Sequence, residues 1–241
     1  MINVFIWNEF IHENEKENKS SELYPNGLHE YIKSFLETED DITVIGTGTL
    51  QDENCGITDE ILAKTDVMIW WGHVGHHKVP DEIAAKVHNA VMAGMGMVFL
   101  HSAHKSKPFM SLIGSTGDLQ WRETDDKEIL WVVKPSHPIA KGLDRYVIFD
   151  HEETYGEPFD IPNPDELVFI GWFEGGEVFR SGCVYNRGAG KIFYFQPGHE
   201  TYPNHKQKEY QIIVKNAVRY VAKTGTYNVG CTNLPMVNEY K

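Results

Sequence analysis

A short apolar run, Met97-Val98-Phe99-Leu100, stops abruptly at His101-Ser102-Ala103-His104, and no other feature of this chain restricts its fold as much. A run of that length with a polar boundary reads as a strand buried on both faces, the pattern of a parallel sheet. Two further runs repeat the form. Asp66-Val67-Met68-Ile69-Trp70-Trp71-Gly72 leads to His73, His76 and His77, and Lys191-Ile192-Phe193-Tyr194-Phe195-Gln196 leads through Pro197-Gly198 to His199-Glu200. In open α/β sheets the ligand binds outside the carboxyl ends of the strands, so these polar residues are expected to converge there.

Between the runs the spacing becomes helical. Leu28, Tyr31, Ile32 and Phe35 give one apolar stripe over 27–37, Thr58 caps a short helix through Ala63, and Pro80-Asp81-Glu82 opens a helix that buries Ile83, Val87, Ala90 and Val91 and ends at Gly94. Strands at 2–8 and 41–46 complete an alternation that predicts an α/β class, a flavodoxin-like, doubly wound, mostly parallel sheet with helices on both faces. From Gly114 onward strands dominate, at 118–123, 128–134, 146–149, 166–173 and 177–185, and the turn Arg187-Gly188-Ala189-Gly190 joins the last of these to 191–196 as a hairpin. A final helix is expected over 206–223, and the polar segment 13–22 reads as a loop.

At 241 residues the chain suits one domain, 1–223, followed by a tail. The tail, 224–241, carries Tyr227, Leu234, Met236 and Tyr240, so it is expected to pack on the domain or on a partner subunit of a homo-oligomer. A net charge of −13 repels nucleic acid and anionic membrane, and no apolar run nears the ~20 residues of a membrane helix, which leaves a neutral small molecule as the expected partner. Cys55, Cys183 and Cys231 fall in no C-x-x-C pattern and are read as thiols. The opening Met1-Ile2-Asn3-Val4-Phe5-Ile6-Trp7 is a strand without a basic leader, so the expected address is the cytoplasm.

His101 and His104 flank a strand-to-helix corner where both rings could face one point. With His199 they form a candidate ligand set for a divalent metal such as zinc, to be completed by His12, His73, Glu152 or Glu153. The same imidazoles could instead act as acid–base groups. Ser102 at the corner could be a nucleophile, although the small flanking residues of a nucleophile elbow are replaced by Leu100 and His104. In Asp150-His151-Glu152-Glu153-Thr154-Tyr155-Gly156-Glu157 adjacent acids on a strand face opposite ways, so only one of Glu152 and Glu153 can join Glu200 in a site. Trp121, beside Arg122 and Glu123, is placed to stack on a sugar ring, whereas Trp70 and Trp131 read as core.

Taken together, Leu100-His101-Ser102-Ala103-His104, Ser136-His137-Pro138-Ile139-Ala140-Lys141-Gly142-Leu143, Glu152-Glu153-Thr154-Tyr155-Gly156-Glu157-Pro158-Phe159, Phe179-Arg180-Ser181-Gly182 and Pro197-Gly198-His199-Glu200-Thr201-Tyr202-Pro203 resemble the ThuA-like family, named for trehalose utilisation. The resemblance runs over residues 3 to 222. It implies a class I glutamine amidotransferase-like fold and a link to disaccharide or glycoside catabolism. It does not imply glutamine hydrolysis, because the amidotransferase cysteine would fall at Ser102. The resulting expectation is an enzyme acting on a sugar or keto-sugar, with His101, His104, Glu153 and His199 catalytic and His12, His73, Ser102, Trp121, Arg122, Glu152, Tyr155 and Glu200 contacting substrate. The alternatives are a non-catalytic sugar-binding or regulatory protein and an amidotransferase-like hydrolase using Ser102.

Overall fold

The computed structural model describes residues 1–15, 17–225, 231 and 233. Among the described residues nine strands form one sheet in the order β2-β1-β3-β4-β9-β8-β7-β5-β6. The first five, β2 (Ile42–Thr49), β1 (Ile2–Asn8), β3 (Val67–Trp71), β4 (Gly96–Leu100) and β9 (Gly190–Phe195), are mutually parallel. Their order is that of a flavodoxin-like sheet with β9 in the fifth place. β3 and β4 are buried at every residue, as their unbroken apolar runs require. Beyond β9 the neighbours β8 (Val178–Arg187), β7 (Glu166–Phe173), β5 (Gln120–Val132) and β6 (Tyr146–Gly156) pair antiparallel.

Helices cover both faces of the parallel half. α2 (Gly27–Leu36) and α6 (Lys208–Val221) bury Leu28, Ile32, Ile213 and Val214 against Ile6, Val98 and Phe193 on one face. α4 (Asp81–Met92) and α5 (Lys107–Ile113) lay Ile83, Val87 and Phe109 on Phe99 and Tyr194 of the other, with the shorter α3 (Asp59–Lys64) beside them. Each such side chain contributes about 1.5–3 kcal/mol relative to exposure. The approach of α6 to β4 is close enough that a Cβ on Gly96 would lie 2.2 Å from the Val221 carbonyl oxygen, which restricts that position to glycine.

The structure differs from the sequence reading in three places, and a fourth expectation lies outside the described residues. Segment 13–22 is not a plain loop, because Asn18 caps a short helix α1 (Lys19–Leu23) and Glu13 is buried, accepting a hydrogen bond from Asn8 Nδ2 at 2.7 Å. The strands expected at 118–123 and 128–134 are one strand, β5, irregular in register between Arg122 and Glu128 where Asp125 takes a φ of 62°. Trp131 is half-buried under the Arg145 guanidinium and is not core. The packing expected of the tail falls on 226–241, nearly all of which lies outside the described residues. Among the described residues no helix is long and apolar enough to cross a membrane.

Candidate active site

The parallel strands β1, β3, β4 and β9 deliver the residues that follow them to one edge of the sheet. His101, directly after β4, adopts a left-handed φ of 52°, a conformation that side-chain-bearing residues rarely hold. Its Nδ1 donates to the Gln196 carbonyl after β9 at 2.8 Å, and its Nε2 lies 3.0 Å from Glu153 Oε2. His199 follows the turn at Pro197-Gly198, where Gly198 has a φ of 120° and a Cβ would lie 2.8 Å from the Tyr210 hydroxyl. The Glu152 carboxylate fixes this turn by accepting from Gly198 N at 2.7 Å, His199 N at 3.2 Å and Asn204 Nδ2 at 2.8 Å.

The third imidazole comes from the turn after β3. Glu9, at the end of β1, accepts from the backbone amides of His73, Val74 and Gly75 at 2.7–2.9 Å and so holds that turn against the sheet edge. The His73 and His12 rings both reach the same oxygen of Glu200, from Nδ1 at 2.9 Å and 2.5 Å. The centroids of His73, His101 and His199 then stand 5.0, 5.1 and 5.9 Å apart, with ring planes 67–86° to one another.

His73 and Glu153 form part of the wall of a cavity of about 340 Å³, shared with Ser102, His104, Tyr155 and Trp121. That volume lies at the low end for small-molecule pockets. Trp121, 65% exposed, stands at its rim, while His101 and His199 lie behind the wall. A larger groove of about 960 Å³ between α4 and α5 is lined by His88, Lys107 and Ser111. That groove brings no buried titratable groups together, whereas the smaller cavity does.

Burial and carboxylates pull the histidines apart electrostatically. Burial opposes the charge on His73, but the bonded Glu200 and the nearby Glu153 and Glu9 override it and raise its pKa to about 9. His101 is also raised, burial being outweighed by Glu153, and His12 is raised by its bond to Glu200. Burial lowers His199 to about 4, His76 to about 4 and His104 to about 3. Both Glu153 and Glu200 are held below the ordinary carboxylate value against the effect of burial, by His101 and by the His12 and His73 bonds respectively, whereas burial raises Glu152.

Three of the expected contacts take other roles, and Ser102 is not placed as a nucleophile. His104 does not converge with His101, because the Tyr155 ring stands between them, stacked on His101 at 5.3 Å and edge-on to His104 at 5.5 Å. His104 Nδ1 is instead tied to the Gly117 carbonyl at 2.6 Å. Arg122 points away from Trp121, as alternation along a strand demands, and its guanidinium is taken up by Asp126 and Glu177. Glu152 positions the His199 turn and has no exposure. The strained elbow residue is His101, and the Ser102 hydroxyl bonds the Tyr155 hydroxyl at 2.8 Å instead of an imidazole that could activate it. Glu9 was missed in the sequence. For Glu9 a signal existed, an acid at the carboxyl end of an apolar strand.

The family model for ThuA, described as trehalose utilisation, matches residues 3–221. The chain belongs to the ThuA family. Among solved structures, a ThuA-like protein from Parabacteroides merdae superposes with a TM-score of 0.67 at 15% identity, covering 97% of this chain and 93% of that one. A ThuA-like protein from Bacteroides uniformis gives 0.63 at 17% identity over 93% and 94% of the two chains. A cytoplasmic protein from Salmonella typhimurium gives 0.63 at 13% identity over 92% and 100%. At these identities the likeness establishes the fold. No curated protein matches the chain.

Proposed function

We propose that this ThuA-family chain is a cytoplasmic enzyme of carbohydrate utilisation that binds a neutral sugar or keto-sugar in the cavity under Trp121 and reacts with it at the wall formed by His73 and Glu153. The observation that carries the reading is the placement of Glu153: it is 3% exposed, reaches the cavity, and has His101 Nε2 3.0 Å behind it. A carboxylate kept ionised by the imidazole behind it can receive a proton from a sugar hydroxyl, or from the carbon beside a keto group. The Trp121 face supplies a platform for the apolar face of a pyranose, and the Ser102 and Tyr155 hydroxyls are available to its hydroxyls. The net charge of −13 favours a neutral ligand over an anionic one.

The test is incubation of the protein with a panel of disaccharides and their keto derivatives, followed by NMR, with and without added divalent metal. A new product from at least one member is expected. Binding without any product would show a non-catalytic sugar-binding protein, and neither binding nor product would remove sugars from consideration.

A further inference from the structure

Several ligand-type atoms at this site lack partners although they are buried. His199 Nε2, Glu153 Oε2 and His101 Nε2 are all shielded from solvent without a hydrogen bond among the described residues. The His101–Glu153 approach of 3.0 Å falls outside hydrogen-bond geometry. Orphaned buried polar atoms cost about 1–3 kcal/mol each, so a cluster of them signals a missing partner. We propose that His73, Glu153 and His199 bind one divalent transition-metal ion at the cavity wall.

Spacing permits this set, as it permits His12, His73 and Glu200 or His101, His199 and Glu200, but of the three only this set places two members on the cavity wall. One ligand atom from each of the three residues lies within 4.8 Å of the other two. Two imidazoles on a tetrahedral zinc with bonds of about 2.1 Å would place their centroids roughly 5.3 Å apart. The His73 and His199 centroids are 5.0 Å apart, at 77°. The remaining nitrogens are already committed. His73 Nδ1 bonds Glu200 at 2.9 Å, whereas His199 Nδ1 accepts from Thr201 N at 3.2 Å, so an ion on His199 Nε2 requires the ring proton to move to Nδ1, where Thr201 Oγ1 at 2.8 Å can accept it. Tying the second nitrogen of an imidazole to a carboxylate, as Glu200 does for His73, is the arrangement that orients metal-binding histidines.

Ligand chemistry narrows the ion. Two imidazoles and one carboxylate suit zinc, iron, cobalt or nickel, whereas calcium and magnesium prefer all-oxygen shells. Because His73 and Glu153 line the cavity, an open coordination position would face whatever occupies it. The proposal rests on reading this wall as the reactive site, since the ion would polarise a sugar oxygen there.

The experiment is calorimetric titration of zinc into untagged, chelator-treated full-length protein, with cobalt absorption spectra as a second readout and circular dichroism to confirm folding. Uptake of about one ion per chain is expected. His73→Ala and Glu153→Gln should each abolish uptake. Glu200→Gln, which alters the carboxylate that orients His73 and also holds His12, should weaken it by about 10–100-fold. His104→Ala should leave it unchanged. Absence of uptake by the folded wild-type protein, or uptake that survives His73→Ala and Glu153→Gln but not His104→Ala, overturns the assignment. Zinc uptake with no turnover of any sugar would uphold the ion site and remove the enzymatic reading. Turnover by metal-free protein that takes up no zinc would remove the ion site alone.

Discussion

Glu128 is fully buried on β5, where Ser181 Oγ donates to one carboxyl oxygen at 3.2 Å and the other oxygen has no partner among the described residues. Burial, with the nearby Glu152 charge, raises its pKa well above the ordinary 4.5. The unfolded group releases its proton near 4.5 while the folded one keeps it, so this group's contribution to stability falls as pH rises from that value through the folded pKa. Glu128→Gln should therefore raise stability by about 1–3 kcal/mol at pH 8 and change little at pH 4, as read by urea unfolding at the two pH values. An equal effect at both would show that the group is not protonated when folded. Nothing in the sequence marked this residue, because a glutamate in an irregular strand looks like any exposed acid. His101, His199 and Glu153 were legible because each follows or ends an apolar run. The exchange of His104 for His73 was not, since it depends on where the Tyr155 ring inserts.

The turn after β3 shows how elements bring the site together. Residues 73–75 have no regular structure of their own, and three of their amides are satisfied by one carboxylate from β1, the parallel neighbour of β3. Glu9→Ala would orphan those amides and release His73, so it should cost about 2–4 kcal/mol of stability and more activity than that loss of stability explains. Thermal unfolding together with the rate at a temperature where the variant is still folded checks this, and an unaltered rate would show that His73 needs no clamp. Strands and helices of the parallel half were readable from period and caps, down to Thr58 accepting from Ile61 N. The division of β5 into two strands was misread because Thr124-Asp125-Asp126 interrupts the pattern, and only pairing with β6 carries the strand through.

Across the whole molecule, the flavodoxin-like order was implied by alternation. The antiparallel extension was visible as strands but not as an order, since strand partners are fixed by long-range pairing. Acid sensitivity is a property at the same scale. His29, His76, His104, His137, His199 and His205 are all lowered from 6.5 by burial, the last to about 3. Unfolded histidines take up protons below 6.5 and these folded ones do not, so stability should fall as pH drops from 6.5. The raised histidines His12, His73 and His101 are charged in both states there and add no slope. The raised carboxyls of Glu13, Glu128 and Glu152 oppose the trend only above 4.5, so the loss should steepen below that value. A urea midpoint that is flat from pH 6.5 to 4.5 and below would contradict this balance.

The placement of Glu153 against the cavity, with His101 behind it, is most directly tested by comparing turnover of whichever panel sugar reacts between the wild-type protein and Glu153→Gln. The substitution keeps shape and removes the charge, so kcat should fall about 10²–10⁴-fold while the sugar still binds. An unchanged kcat would contradict the account and move the chemistry away from this cavity.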